Sequence, residues 1–173
     1  MGRKVLFAAL ILQLVLPLRL GALWPGCRTA YAIQSGQAAP QFTLEDTRGM
    51  PVSIAALKGK VIVLNFFAVW CPPCEGEITA LNRLYARYRA RGVLVLGVTR
   101  DSPGDVAAYE ARRPIDYPVA IDARSTAYNL YDVFPVPVTF LIDQRGVIAR
   151  KFIGPAAGGA LEKAVERLLA SKS

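Results

Sequence analysis

Val61-Ile62-Val63-Leu64-Asn65-Phe66-Phe67, then Ala68-Val69, then Trp70-Cys71-Pro72-Pro73-Cys74 and Glu75-Gly76-Glu77-Ile78, is the stretch from which the rest of the chain can be read. Its first seven residues are a near-continuous apolar run, the pattern of a central strand covered on both faces. Ile78, Leu81, Tyr85 and Tyr88 then recur at three- and four-residue spacing, with Arg83, Arg87 and Arg91 elsewhere on the wheel and Gly92 as the stop. The spacing predicts a helix. Cys71 and Cys74 therefore form a C-x-x-C placed between a buried strand and a helix, a context that points to redox chemistry.

With Pro72 at the first helical position, Cys71 becomes the cap, and its sulfur faces unpaired N–H groups and the positive end of the helix dipole. Thiolate is then favoured over thiol. Cys74 lies one turn deeper, where it can close a disulfide on Cys71 while shielded from substrate. Attack by Cys71 from the exposed helix end and resolution by Cys74 is the expected division of labour. A zinc site needs further ligands, and the chain offers only Cys27 and no His. A c-type haem needs His after the second Cys, and Glu75 stands there. No metal or cofactor is expected. A permanently oxidised structural disulfide stays open, although so short a loop constrains little unfolded-chain entropy.

Working outward, Ile33 to Ala39 is a small, polar lead-in. Gln41-Phe42-Thr43-Leu44 and Val52-Ser53-Ile54 flank Asp46, Arg48 and Gly49 as an edge hairpin. Val93 to Val98 reads as a second buried strand, and Ser102 caps a helix that starts at Pro103 and runs to about Arg112. Tyr117 to Ile121 is a short strand and Ser125 to Tyr131 a short helix. Val138–Ile142 and Val147–Phe152 are strands joined by the turn Asp143-Gln144-Arg145-Gly146, and the last helix carries Leu161, Val165 and Leu168 on one face. Alternating strands and helices ending in a hairpin describe an α/β fold, a mixed sheet with helices on both sides.

The 173 residues are 53% hydrophobic and 20% charged, a globular composition. The absence of His removes Ser-His and Cys-His pairs and any histidine general base. Of the formal +8, residues 1–32 hold Arg3, Lys4, Arg19 and Arg28 with no acid, so residues 33–173 carry 17 basic against 13 acidic residues, +4. No basic stripe with interleaved aromatics is present, so no nucleic-acid partner is expected. Arg3 and Lys4 precede an apolar run from Val5 to Leu18, broken by Gln13 and Pro17, and Ala30-Tyr31-Ala32 is an A-x-A pattern. Residues 1–32 are expected to be an export signal cleaved after Ala32, or a membrane anchor through residues 5–24. Either places the domain, residues 33–173 with a core about 37–170, outside the cytoplasm. Trp24 and Pro25 fit poorly with acylation at Cys27.

Ala39-Pro40-Gln41-Phe42-Thr43-Leu44, the run Leu57 to Ala68, Trp70-Cys71-Pro72-Pro73-Cys74 and the run Tyr131 to Asp143 resemble the TlpA/ResA family of extracytoplasmic thiol-disulfide oxidoreductases, thioredoxin-superfamily proteins of the redoxin, AhpC/TSA-like kind. The resemblance runs from about Gln37 to Ala170. It implies a thioredoxin fold with an N-terminal hairpin and a strand/helix insertion. It implies reduction of disulfides in apocytochrome c, copper-site proteins or thioredoxin-like partners, in the bacterial periplasm or at the outer face of the inner membrane. Recharging would come from a membrane electron donor of the DsbD/CcdA type.

Residue by residue, Pro137 matches the family's cis-proline beside the disulfide, leaving the Val136 backbone free to pair with an extended client. Trp70, Pro72 and Pro73 belong with them to the substrate-binding surface. Asn65 stands where thioredoxin has a buried acid. Glu77 matches an acid near the disulfide that could take the resolving thiol's proton; alternatively, Glu75 and Glu77 merely complement the helix N-terminus. Val138 departs from the Thr or Ser of many relatives, and Phe67 from a commoner Trp. An oxidase or isomerase of secreted proteins, a peroxidase and a metallochaperone remain as rival readings; the Pro and Thr that a peroxidase carries upstream of its cysteine are missing.

Overall fold

The computed structural model describes residues 33–156 and 159–171; the proposed signal or anchor, residues 1–32, lies outside them. Strand β3, Val61–Phe66, is buried at all six positions, as the unbroken apolar run requires. It lies between β4, Val93–Thr99, which pairs with it in parallel, and β6, Val138–Ile142, which pairs antiparallel. Strands β1, Thr43–Asp46, β2, Pro51–Ser53, β5, Val119–Ile121, and β7, Ile148–Ile153, complete a seven-stranded sheet in the order β2-β1-β5-β4-β3-β6-β7.

The two faces of β3 carry different cores. Val61 and Val63 pack with Leu81, Leu84 and Tyr88 of α1, Pro72–Tyr88, and with Leu161 and Val165 of α4, Ala160–Ala170. Ile62, Leu64 and Phe66 meet Phe42, Phe140, Tyr131, and Tyr128 of α3, Thr126–Leu130. Phe66, Tyr131 and Phe140 have ring centroids 5.0 to 5.9 Å apart, mostly edge to face. Each large apolar side chain so buried contributes about 1.5–3 kcal/mol. The remaining helix, α2, Pro103–Glu110, begins at Ser102 with a full capping box: Ser102 Oγ accepts from Asp105 N at 3.1 Å and the Asp105 carboxylate accepts from Ser102 N at 3.4 Å.

The elements fall where hydrophobic period, prolines and glycines place them, with shifts at the ends. The first strand starts at Thr43 rather than Gln41, α2 stops at Glu110 rather than Arg112, and Leu84 is buried on α1 where Tyr85 is only partly so. Two short 3-10 turns, Ile54–Leu57 and Arg89–Arg91, had no sequence signal; the second leads into Gly92, whose φ of 88° ends the helix in the left-handed region.

Candidate active site

The turn from β3 into α1 sets Cys71 at the N-cap with Pro72 and Pro73 at the first two helical positions. Cys71 and Cys74 are disulfide-bonded, with Cα atoms 5.3 Å apart. The Cys71 sulfur, engaged with Cys74, makes no capping hydrogen bond, and Cys71 is only 4% exposed against 1% for Cys74. The expectation of an openly exposed Cys71 is therefore corrected: Cys71 packs in a buried cluster with Ala68, Cys74 and Ile78, Val136 lies against that cluster, and the Val136 carbonyl oxygen is 4.0 Å from Cys71 Sγ.

Trp70, Cys71, Pro72, Pro73 and Val136 come together along one groove of about 240 Å³. Pro137 is buried behind Val136, and the Phe134-Pro135 and Val136-Pro137 bonds are both cis. Cys74 and Glu77 are not among the groove's lining residues.

Glu77 sits on α1 three residues beyond Cys74, 1% exposed, and points at the sheet rather than at solvent. Its Oε1 accepts from Thr139 Oγ1 at 2.8 Å and from Ala156 N at 3.1 Å. Asn65 Nδ2 in turn donates to Thr139 Oγ1 at 2.9 Å. Burial pushes the Glu77 carboxyl above its ordinary value, and the hydrogen bonds centred on Thr139, Ala156 and Asn65 pull against that rise. Glu75, by contrast, is half-exposed and pairs with Arg113 at the surface. The two acids thus differ: one is solvated, the other lies inside with an oxygen to spare.

Glu77 Oε2, Asn65 Oδ1 and the Tyr117 hydroxyl are buried without partners among the described residues. Such an atom costs about 1–3 kcal/mol in a fold with no use for it. Asn65 faces Gly97 across the β3–β4 pair, and a Cβ at Gly97 would lie 2.9 Å from the Phe67 ring and 3.2 Å from that of Tyr117. Only glycine leaves room for both rings at that point of the sheet, and Phe67 packs in the cluster that holds Cys71 and Cys74. Burial also holds the Tyr117 hydroxyl well above the ordinary tyrosine value.

Several neighbours of the disulfide were not marked in the sequence. Asp101 Oδ2 accepts from Val69 N at 2.8 Å and from Thr99 Oγ1 at 2.6 Å, tying the segment before Trp70 to the end of β4. Tyr128 donates its hydroxyl to the Phe67 carbonyl at 2.8 Å. Phe134 stands 90% exposed on the groove. Thr139, not Val138, supplies the polar group after Pro137: Val138 faces the aromatic core and its neighbour faces Glu77.

The AhpC/TSA family model matches residues 35–151. The thiol-disulfide oxidoreductase ResA of Bacillus cereus is 34% identical over 137 residues, covering 79% of this chain and 79% of that protein. ResA of Geobacillus thermodenitrificans is 37% identical over 128 residues, covering 73% and 72%. Among solved structures, a Chlorobium tepidum protein described as a candidate thiol:disulfide interchange protein DsbE superposes with a TM-score of 0.75 at 34% identity, covering 79% of this chain and 99% of that one. With a Cys71–Cys74 pair at the strand–helix junction of a thioredoxin-like sheet, the chain belongs to the AhpC/TSA family and, within it, to the ResA-like thiol-disulfide oxidoreductases.

Proposed function

We propose that the protein is an extracytoplasmic dithiol reductant of protein disulfides, with Cys71 as nucleophile, Cys74 as resolving thiol and Glu77 as proton acceptor. The observation that carries the reading is a disulfide at a helix N-cap, open to a groove on its Cys71 side and backed by a buried carboxylate one turn beyond Cys74. In the reduced protein, Cys71 thiolate attacks one sulfur of a client disulfide. The client S–S bond breaks, a Cys71–client bond forms, and the departing client thiolate takes a proton. Cys74 then passes its proton to Glu77 and attacks Cys71 Sγ, closing the Cys71–Cys74 bond and releasing the second client thiolate. The client gains two electrons and the protein loses them. A membrane dithiol carrier of the DsbD/CcdA type restores the reduced state.

Clients of this chemistry are cysteine pairs kept reduced for haem attachment or copper binding outside the cytoplasm. Trp70, Pro72, Pro73 and Val136 form the client surface, with Pro137, expected on that surface, buried behind Val136 as its support, and residues 1–32 direct export or tether the domain. Equilibration with glutathione buffers tests the direction of electron flow: the potential is expected nearer about −270 mV than about −120 mV. A value at the oxidising end would replace this reading with an oxidase or isomerase.

A further inference from the structure

The segment against Cys71 runs Phe134-Pro135-Val136-Pro137. A client strand that docks by main-chain pairing needs a row of N–H donors and carbonyl acceptors. Proline has no N–H. Across Pro135–Pro137 only Val136 offers a donor, and that N–H has no intramolecular partner among the described residues. Val136 offers a client one N–H and one carbonyl, a single ladder pair, and the side chains beside it add to that recognition.

The side chains available are unusual for a surface. Phe134 is 90% exposed and Trp70 is 70% exposed, and both line the groove that contains Cys71. Exposed aromatics grouped beside a reactive centre mark a contact surface. The same groove holds Arg100, whose guanidinium carbon lies 4.6 Å from the centroid of the Tyr128 ring. Tyr128 is itself pinned to the Phe67 carbonyl, so the cation rests on a fixed plate. The groove is thus apolar with one fixed positive charge.

We propose that Phe134 is a specificity-determining residue, selecting client segments that carry an aromatic or large aliphatic side chain within two residues of the reacting cysteine, while Arg100 disfavours Lys or Arg there. The inference rests on the reading of Cys71 as the thiol that meets client disulfides. It concerns which disulfides reach that thiol fastest.

The test uses reduced full-length protein and three symmetric peptide disulfides, identical except for Phe, Ser or Lys beside the cysteine. Second-order rate constants are each divided by that for oxidised glutathione with the same variant. The Phe peptide is expected to react about tenfold faster than the Ser peptide, the scale of one good aromatic contact. The Lys peptide should be slower than the Ser peptide. Phe134→Ser should bring the Phe/Ser ratio close to one, Phe134→Tyr should keep it, and Arg100→Gln should raise the Lys peptide relative to Ser. Equal rates for the Phe and Ser peptides, or a ratio that Phe134→Ser leaves unmoved, would overturn the inference. Failure to react with any disulfide, glutathione included, would instead overturn the reading of Cys71 and the inference with it.

Discussion

Because Cys71 and Cys74 are 4% and 1% exposed, whole-residue accessibility does not separate an attacking from a resolving thiol. Their surroundings do: Cys71 lines the groove, whereas Cys74 lies inside the first turn of α1. Iodoacetamide is expected to label Cys71 first in the reduced protein, read from the fragment ions of the one peptide that holds both cysteines, and prior labelling of Cys74 would reverse the assignment. Glu77 gives a second expectation, with a sign. Its carboxyl is raised by burial, so the folded protein holds that proton more tightly than the unfolded chain, whose value is near 4.5. The stabilisation from the proton-bound form is complete below that unfolded value and is lost as pH rises through the folded one. Glu77→Gln, which cannot ionise, should gain stability relative to the natural protein across that window, measured by urea denaturation at pH 4 and pH 8. Its turnover should fall by about 10²-fold with longer-lived mixed disulfides. An unchanged pH–rate profile would leave Glu77 as a structural residue.

Strand β4 and the segment leaving β3 are joined by Asp101, whose Oδ2 takes both the Val69 N–H and the Thr99 hydroxyl. Thr99 is fully buried, so its hydroxyl has no solvent to turn to. Asp101→Ala should destabilise the protein by about 1–3 kcal/mol in chemical denaturation, the cost of stranded buried donors. Asp101→Asn keeps an acceptor oxygen and should recover most of the loss. In the sequence, Asp101-Ser102-Pro103 reads as a helix start, and that part is visible because a cap and its first turn are neighbours in the chain. The contact of Asp101 with Val69, 32 residues earlier, leaves no such mark.

Taken as a whole, the chain concentrates positive charge and apolar residues before Ile33 and carries an ordinary +4 afterwards. Among the described residues no helix is long and apolar enough to cross a membrane. If residues 1–32 export or anchor the domain, a reporter enzyme active only outside the cytoplasm and fused after Ser173 will be active, and an inactive fusion would refute export. N-terminal sequencing of the purified protein then separates cleavage after Ala32 from retention of the segment.

The buried strand, the proline-initiated helix, the cysteine pair at their junction and the terminal hairpin were all legible in the linear chain. Hydrophobic period, proline, glycine and capping side chains act on residues within a turn or two, and such short-range rules survive without knowledge of the fold. The burial of Glu77 was not legible in that way. Its partner Thr139 is 62 residues distant and reaches it only because β6 lies beside β3 beneath α1. Phe134 and Trp70 share a groove for the same kind of reason. Strand order results from covering both faces of one sheet with the apolar segments of the described domain at once, a sum that no local stretch contains.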